Sequence, residues 1–245
     1  MTVHTRIRSL VARLRRAIAP ESANDGVEFG VPQQFRRGAG RQNQRASVDS
    51  AVDMIGTIAK EIGVPDLADT RVLDIGCGVK FTQVLYGRNI PAKRYHGVDL
   101  DRRMIKFLAS NVRDKRFSYR HISVYNEMYC RKGAPLTPNV DIGAAGQEFD
   151  LISLFSVFTH LAPRDFQAML ALTRKYVARD GHLIFTSFID ETVEGEFMDF
   201  VPGRPLLRAH YREEVIRKYA TAANWSVNRI FRPPKQQHWV VCRPA

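Results

Sequence analysis

Apolar positions along this chain follow two spacings, one typical of strands and one typical of helices. Short apolar runs predict strands at 71–75, 95–100, 117–124, 150–155, 183–189, 226–230 and 238–242. Between them, apolar residues three and four positions apart predict helices at 81–86, 102–111, 163–178 and 212–223. This alternation implies right-handed crossovers and a mostly parallel sheet covered on both faces. A turn around Pro233 and Pro234 joins the last two runs, which predicts an antiparallel strand at the C-terminal edge.

The first 45 residues have a different pattern. Their apolar positions follow a helical spacing at Ile7, Leu10, Val11, Leu14 and Ile18. Nine arginines against three acidic residues give this segment half of the net charge of +12. We therefore predict a basic amphipathic helix at 6–18, which would dock on the protein body, pair two copies into a homo-oligomer or lie on an anionic membrane.

A second helix, capped by Ser47, is expected to open the folded domain after an irregular segment. The predicted organisation is an extension over 1–45 and a domain over 46–245. No apolar run approaches the roughly 20 residues that a membrane crossing needs. The three cysteines are too scattered for a disulfide framework or a zinc site, so no metal ligands are assigned. A cytoplasmic protein is expected, associated with a membrane if the first helix binds lipid.

Candidate chemistry begins with the run V-L-D-I-G-C-G at 72–78, a buried strand that enters a glycine turn before a helix. Such a turn exposes backbone N–H groups to a ligand. Roughly 20 residues later the next strand ends at Asp99, the spacing expected for a carboxylate that binds ribose hydroxyls. Asp101 is better placed to cap the following helix. These features alone also suit an oxidoreductase that uses NAD.

Together with G-V-D-L-D at 97–101, this run resembles the first two cofactor motifs of the class I S-adenosylmethionine-dependent methyltransferases. The segments 148–152, 179–183 and 211–225 resemble the fourth strand, the turn into the fifth strand and the last helix of that family. The run S-V-F-T-H-L at 156–161 is similar to a bacterial subgroup associated with sugar, glycolipid or secondary-metabolite methylation. The resemblance covers about 46–243 and implies a Rossmann-like, doubly wound α/β fold.

The resemblance implies S-adenosylmethionine as cofactor and a set of binding residues: Asp74, Gly76, Cys77, Gly78, Lys80, Asp99, Leu100, Ser123, Val124, Phe155 and Ser156. Asp74 would lie below the methionine moiety, and Phe155 and Ser156 would border the reactive methyl group. Lys80 replaces the usual third glycine, and its ammonium could reach the cofactor carboxylate. Ser123 replaces an acidic residue near the adenine. Cys77 is expected to pack rather than to act as a nucleophile.

His160 is the candidate general base, because an alcohol acceptor must lose its proton as the new bond forms. The equally weighted alternative is that His160 caps the helix near Pro163 or fixes its loop by hydrogen bonding. His121, Tyr125 and His210 are weaker candidates. The remaining histidines, at positions 4, 96, 182 and 238, are expected to be structural or exposed.

The sequence therefore predicts O-methylation of a hydroxyl group on a sugar, glycolipid or small metabolite, with the loops at 126–147 and 190–208 setting acceptor specificity. The positive charge keeps an RNA methyltransferase as an alternative. Residues 150–155 nevertheless lack the N/D-P-P-Y/F signature of base-amine methylation, and no RNA-binding module is recognisable. A catalytically silent cofactor-binding relative is a further alternative, supported by the departures at Lys80 and Ser123.

Overall fold

A computed structural model describes residues 29–38, 43–233 and 237–245 of this chain. The predicted amphipathic helix at 6–18 lies outside the described residues. The helices are α1 (Gln44–Ile62), α2 (Lys80–Leu85), α3 (Arg102–Asn111), α4 (Pro163–Arg174) and α5 (Glu213–Ala222). The strands are β1 (Leu67–Ile75), β2 (Ala92–Asp99), β3 (Phe117–His121), β4 (Phe149–Leu154), β5 (Val177–Ile189), β6 (Phe197–Asp199), β7 (Ala209–Tyr211), β8 (Trp225–Phe231) and β9 (His238–Pro244).

The strands form one mixed sheet that confirms the predicted fold class. β3, β2, β1, β4 and β5 are neighbours in that order and all run parallel. β9 pairs antiparallel with β5, and β8 pairs antiparallel with the outer side of β9. The end of β5 also pairs with β7, which continues into an antiparallel ladder with β6. The strand order reverses between β1 and β4, where ligands of open α/β sheets bind at the carboxyl ends of the strands.

The sheet is held to its helices by apolar side chains that strands β4 and β5 and helices α4 and α5 bury together. Phe158, Phe166 and Phe185 form a ring cluster with centroids 4.2–6.0 Å apart. Tyr211 adds a ring 4.9 Å from Phe166, and its hydroxyl donates to the carbonyl of Leu161. This packing fixes the ends of β5 and β7 and the segment that follows β4.

The described residues fall into two compact units. One lies within Met1–Ile55 and Gly78–Ile90, and it includes the start of α1 and the whole of α2. Inside it, Phe29 packs edge-on against Tyr86, and Arg88 pairs with Asp49. The other unit comprises Gly56–Cys77 and Pro91–Ala245, and it contains the sheet and helices α3 to α5. No described helix is both long enough and apolar enough to cross a membrane.

Two helix boundaries differ by more than one residue from the sequence-based prediction. Helix α1 begins at Gln44 and not at Ser47, because the side chain of Asn43 accepts a hydrogen bond from the amide of Ala46 at 2.9 Å. Ser47 therefore lies inside the helix. Helix α4 ends at Arg174, and not at 178, because β5 begins at Val177 and pairs there with β4.

Two segments predicted as connections contain strand. The predicted turn at 179–182 is an irregularity inside β5, where Val177 pairs with Phe149 but His182 already pairs with Leu151. Gly181 is needed there, because a Cβ would lie 2.9 Å from the carbonyl oxygen of Phe149. The predicted loop at 190–208 contains β6, which a three-residue run without clear alternation did not reveal.

Candidate active site

The glycine turn after β1 has the backbone that its sequence predicts. Gly76 and Gly78 have φ values of +71° and +51°, in the left-handed region that favours glycine. A Cβ on Gly76 would also overlap Cγ2 of Val157, whereas a Cβ on Gly78 would meet no atom of the described residues within 4 Å. Glycine is therefore required at position 76 by both the backbone conformation and the lack of space for a Cβ, and at position 78 by the backbone conformation alone.

The predicted exposure of backbone N–H groups in this turn is wrong for two residues. The amides of Gly76 and Cys77 both donate to the carbonyl of Val98, at 2.7 and 3.1 Å. The turn is thus hydrogen-bonded to β2, because its first two donors complete the sheet rather than face a ligand. Cys77 is buried, with its sulfur 3.0 Å from where a Cβ on Gly97 would lie. This position fits the packing role predicted for Cys77.

Asp74 lies at the carboxyl end of β1 and is 3% exposed. Its two carboxylate oxygens accept hydrogen bonds from Tyr95 Oη at 2.7 Å and Ser153 Oγ at 2.9 Å. Burial raises the pKa of Asp74 to about 7, with a further increase from the nearby Asp99, although both hydrogen bonds oppose the shift. A cation placed near Asp74 would therefore favour its ionised form at neutral pH.

The sequence suggested ribose binding for Asp99 and helix capping for Asp101, and the structure separates these two roles. Asp101 caps α3 by accepting from the amides of Arg103 and Met104, at 3.1 and 3.0 Å. Asp99 ends β2, is buried, and accepts from the amide of Asp101 through one carboxylate oxygen at 2.9 Å. The cap role is thus filled by Asp101, and Asp99 is held at the carboxyl edge of the sheet next to β1. Leu100, between them, is half-buried.

Lys80 belongs to the unit that contains α2. Its ammonium lies 3.2 Å from Ser50 Oγ and 3.6 Å from Met54 Sδ, both on α1. Burial lowers the pKa of Lys80. The contact of Lys80 with a cofactor carboxylate stays a prediction.

The residues after β3 continue the same edge. The amide of Ile122 donates to the carbonyl of Asp99 at 3.1 Å, which fixes the start of this segment beside the end of β2. Ser123 is exposed, and its carbonyl accepts from the amide of Ala134. Val124 is buried. Ser123 is therefore the polar side chain that this segment offers to solvent or to a ligand.

Residues after β4 form a strained corner. Ser156 has a φ of +57°, which is uncommon for a residue other than glycine. Its amide donates to Thr186 Oγ1 at 2.8 Å, and its side chain is exposed. Phe155 packs edge-on against Trp239 with ring centroids 4.7 Å apart. The corner is thus over-determined by contacts with β5 and β9, as strained positions at functional sites often are.

His160 ends the 3-10 turn that follows this corner. Its Nδ1 lies 2.9 Å from the carbonyl oxygen of Leu206, and its ring meets Tyr129 edge-on at 5.7 Å. A carbonyl can only accept, so Nδ1 carries the proton in the neutral ring and Nε2 carries the lone pair. Helix α4 has no side-chain cap, so the capping alternative for His160 is wrong. The loop-fixing alternative agrees with the hydrogen bond from His160 to Leu206. That bond leaves Nε2 as the basic nitrogen of the neutral ring.

Three other histidines have the structural positions predicted for them. His96 is buried between Ser118 Oγ and the carbonyl of Ile142, each 2.7 Å from a ring nitrogen. His182 accepts from Arg243, and His238 accepts from the amide of Ile189. His4 lies outside the described residues. Among the described residues, no three His, Cys, Asp or Glu side chains are grouped to hold a metal ion.

Sequence reasoning missed Tyr95, Gly97 and Ser153. Tyr95 and Ser153 hold Asp74, and a Cβ on Gly97 would lie 3.0 Å from Cys77 Sγ and from the ring of Tyr119. The signal was present in part, since polar residues inside otherwise apolar strands at 95 and 153 require a buried partner. Which partner they would find depends on strand order, and that order cannot be read from either strand alone.

Comparisons with known proteins show which family and which solved structures this chain resembles. The sequence profile of a family described as "Methyltransferase domain" matches residues 4–229. A magnesium protoporphyrin IX methyltransferase structure from Synechocystis PCC 6803 contains bound S-adenosylhomocysteine (SAH). It is 16% identical to this chain, with a TM-score of 0.53 over 97% of this chain and 94% of that one. The Burkholderia thailandensis 1,6-didemethyltoxoflavin-N1-methyltransferase is 18% identical, with a TM-score of 0.54 over 81% and 78%. The mitomycin 7-O-methyltransferase is 14% identical, with a TM-score of 0.52 over 84% and 56%.

Proposed function

This chain belongs to the methyltransferase-domain family, and from that membership we propose that it uses S-adenosylmethionine to methylate a hydroxyl group of a small acceptor. One observation carries the proposal of the methyl donor. The glycine turn after β1 and the carboxylate of Asp99 at the end of β2 lie side by side at the carboxyl edge of the sheet, with Asp74 buried beneath them. Solved structures of the same fold that contain SAH support this assignment.

The chain's residues would divide the work of binding between them. Bound S-adenosylmethionine supplies an electrophilic methyl group on a positively charged sulfur. Asp99 would accept hydrogen bonds from the ribose hydroxyls, and Asp74 would oppose the positive charge from below. Ser123 would face the adenine, and Phe155 and Ser156 would border the methyl group and exclude water from it. Most of the rate acceleration would come from this alignment.

His160 is the proposed general base for a hydroxyl acceptor. Because the carbonyl of Leu206 fixes the proton on Nδ1, Nε2 can take the acceptor's proton as the oxygen–carbon bond forms and the carbon–sulfur bond breaks. The products would be the methyl ether and a neutral thioether. The fold alone does not choose the acceptor atom, since similar structures include an N1- and a 7-O-methyltransferase. We propose oxygen as the acceptor atom, because Nε2 of His160 is a base that can take the proton of a hydroxyl group.

The proposed acceptor is a sugar, glycolipid or small metabolite. It would bind among the segments that follow β3, β4 and β5, where the exposed aromatic side chains of the described residues lie: Tyr125, Tyr129 and Phe200. Apolar rings exposed beside a histidine suit a small ring-bearing molecule better than a polynucleotide backbone, which requires clustered cations.

Calorimetry with S-adenosylmethionine, SAH and NAD tests the proposal. We expect binding of the first two and none of NAD. Asp99→Asn should weaken SAH binding by about tenfold to a hundredfold, because the neutral amide is a poorer acceptor for two hydroxyls. The matched control is Asp101→Asn, two residues away, which should bind SAH like wild type because asparagine also caps helices well. Tighter binding of NAD, or equal SAH affinity in the two variants, would refute the proposal.

A further inference from the structure

A second histidine occupies the same edge of the sheet, on β7. His210 pairs with Phe188 across the parallel β5–β7 ladder. Its imidazole stacks on the Phe188 ring at 5.0 Å and on the Phe200 ring at 4.5 Å, with interplanar angles of 23° and 9°. The imidazole is therefore sandwiched between two phenyl rings, which fixes its plane.

A carboxylate fixes the proton on this imidazole. Nδ1 of His210 lies 3.3 Å from Oδ2 of Asp190. The other oxygen of Asp190 accepts from the amide and hydroxyl of Thr192, at 3.0 and 2.6 Å. These bonds, led by that of the Thr192 hydroxyl, lower the pKa of Asp190. An ionised carboxylate can only accept, so Nδ1 of His210 donates, and in the neutral ring Nε2 carries the lone pair.

That lone pair is unsatisfied. Nε2 of His210 is shielded from solvent and has no hydrogen-bond partner among the described residues. Buried polar atoms of this kind are rare in native proteins, and they often mark a place where a ligand completes the bonding. The ring stacked on this imidazole belongs to Phe200, which is 46% exposed. A movement of this exposed side chain would open the space beside the imidazole from which a ligand can approach Nε2.

The two histidines are connected through one loop. Phe200 stacks on His210, and Leu206, six residues later, gives its carbonyl to Nδ1 of His160. The strands involved are close as well, because β7 lies two strand spacings from β4, or roughly 10 Å. A molecule of one or two rings spans that distance.

We propose that His210 is a specificity-determining residue whose Nε2 accepts a hydrogen bond from a second hydroxyl group of the acceptor, while a flat ring of the acceptor takes the place of the Phe200 ring beside the imidazole. This inference rests on the proposed function, and it narrows the acceptor class to ring compounds that carry two hydroxyl groups. The acceptor reaches Nε2 by displacing the exposed Phe200 side chain.

Two probes of equal length test this assignment without turnover. They are 4,4′-dihydroxybiphenyl, whose hydroxyl groups are roughly as far apart as the two strand spacings, and 4-hydroxybiphenyl, which lacks one of these hydroxyl groups. Each is titrated into SAH-loaded protein, and the imidazole resonances of His210 and His160 are followed by NMR. Before any probe is added, the nitrogen shifts of His210 should report a proton on Nδ1 and none on Nε2. The diol should then bind about tenfold more tightly than the mono-ol, because only the diol offers the second hydroxyl.

Variants separate the hydrogen bond from the stacking. His210→Phe keeps an aromatic ring between Phe188 and Phe200, and it should reduce binding of the diol to the level of the mono-ol. Asp190→Asn should weaken binding of the diol by a smaller factor, because it makes Nε2 less basic. His182→Gln is the matched control, since His182 lies on β5 away from the carboxyl edge and accepts from Arg243. It should bind both probes like wild type.

Each possible result either supports or overturns the proposed role of His210. A proton on Nε2, equal affinity for the two probes, no binding of either probe, or an unchanged preference for the diol in His210→Phe would overturn the role of His210. These results would leave the proposed function intact as long as SAH binds. Loss of SAH binding by wild-type protein would instead refute the proposed function.

Discussion

Where β1 and β2 end, the polar groups are already satisfied by the protein: Asp74 by Tyr95 and Ser153, and the turn amides by Val98. Beyond the ends of β4 and β5 the chain has exposed aromatic rings, a strained corner at Ser156 and a histidine nitrogen with no hydrogen-bond partner in the described part of the chain. Both regions lie on one edge of one sheet, and we refer to the first as the closed side and to the second as the open side. The first region therefore needs little rearrangement to bind a constant ligand, whereas the second acquires its final contacts from the acceptor.

The pH dependence of stability is the largest effect expected on the closed side. Asp74 has a pKa of about 7 in the folded protein and roughly 3.9 when unfolded. Because the folded state holds this proton longer, Asp74 favours folding below about pH 4, and that contribution is lost as the pH rises to about 7. The loss is on the order of 4 kcal/mol across this range.

Urea unfolding of wild type and Asp74→Asn at several pH values measures this term as a difference between the two proteins. The variant should become the more stable protein as the pH rises. S-adenosylmethionine should also bind more tightly to wild type above pH 7 than below it, and neutral SAH should respond less. A pH-independent difference between the two proteins would show that Asp74 does not titrate in this range.

Gly76→Ala should be the next largest change, destabilising the fold by about 3 kcal/mol. The estimate combines the left-handed backbone with the displacement of Val157 that a Cβ requires. Gly78→Ala has the same backbone requirement and open space, so it should cost only about 1 kcal/mol. Unfolding by urea compares the two. Equal losses of stability in the two variants would mean that a Cβ at position 76 does not have to displace Val157.

On the open side, His160→Ala should lower turnover at least about a hundredfold and leave SAH affinity nearly unchanged. The reason is that the His160 ring is fixed by the carbonyl of Leu206, whereas the proposed ribose ligand is Asp99 at the end of β2. Labelled methyl transfer and calorimetry measure the two quantities separately. Unchanged turnover would remove His160 as the base, and a large loss of SAH affinity would show that the two regions are not independent.

The same contrast explains what the sequence could predict. The turn and Asp99 were found because β1, the glycines and the end of β2 are short, contiguous patterns whose geometry is local. His210 was ranked as a weak base, because its significance comes from Asp190, Phe188 and Phe200, which only the pairing of β7 with β5 and with β6 brings around it. The helix cap at Asn43 was missed for a smaller reason, since two polar residues four apart compete for one helix start.

Ser153→Ala should have the smallest effect, because it removes one of two hydrogen bonds to Asp74 and leaves Tyr95 in place. Ser153 lies on β4, so it is the side chain through which the open side supports the closed one. Losing it should cost about 1 kcal/mol near pH 8, where Asp74 is ionised, and less near pH 5, where the protonated acid needs fewer donors. The lost bond had lowered the pKa of Asp74, so the pH transition should move upward in this variant. Urea unfolding at both pH values would measure this coupling, with Ser187→Ala on β5 as the matched control, because Ser187 is also buried but its hydroxyl has no hydrogen-bond partner among the described residues. A loss that is equal at the two pH values would show that Ser153 only packs.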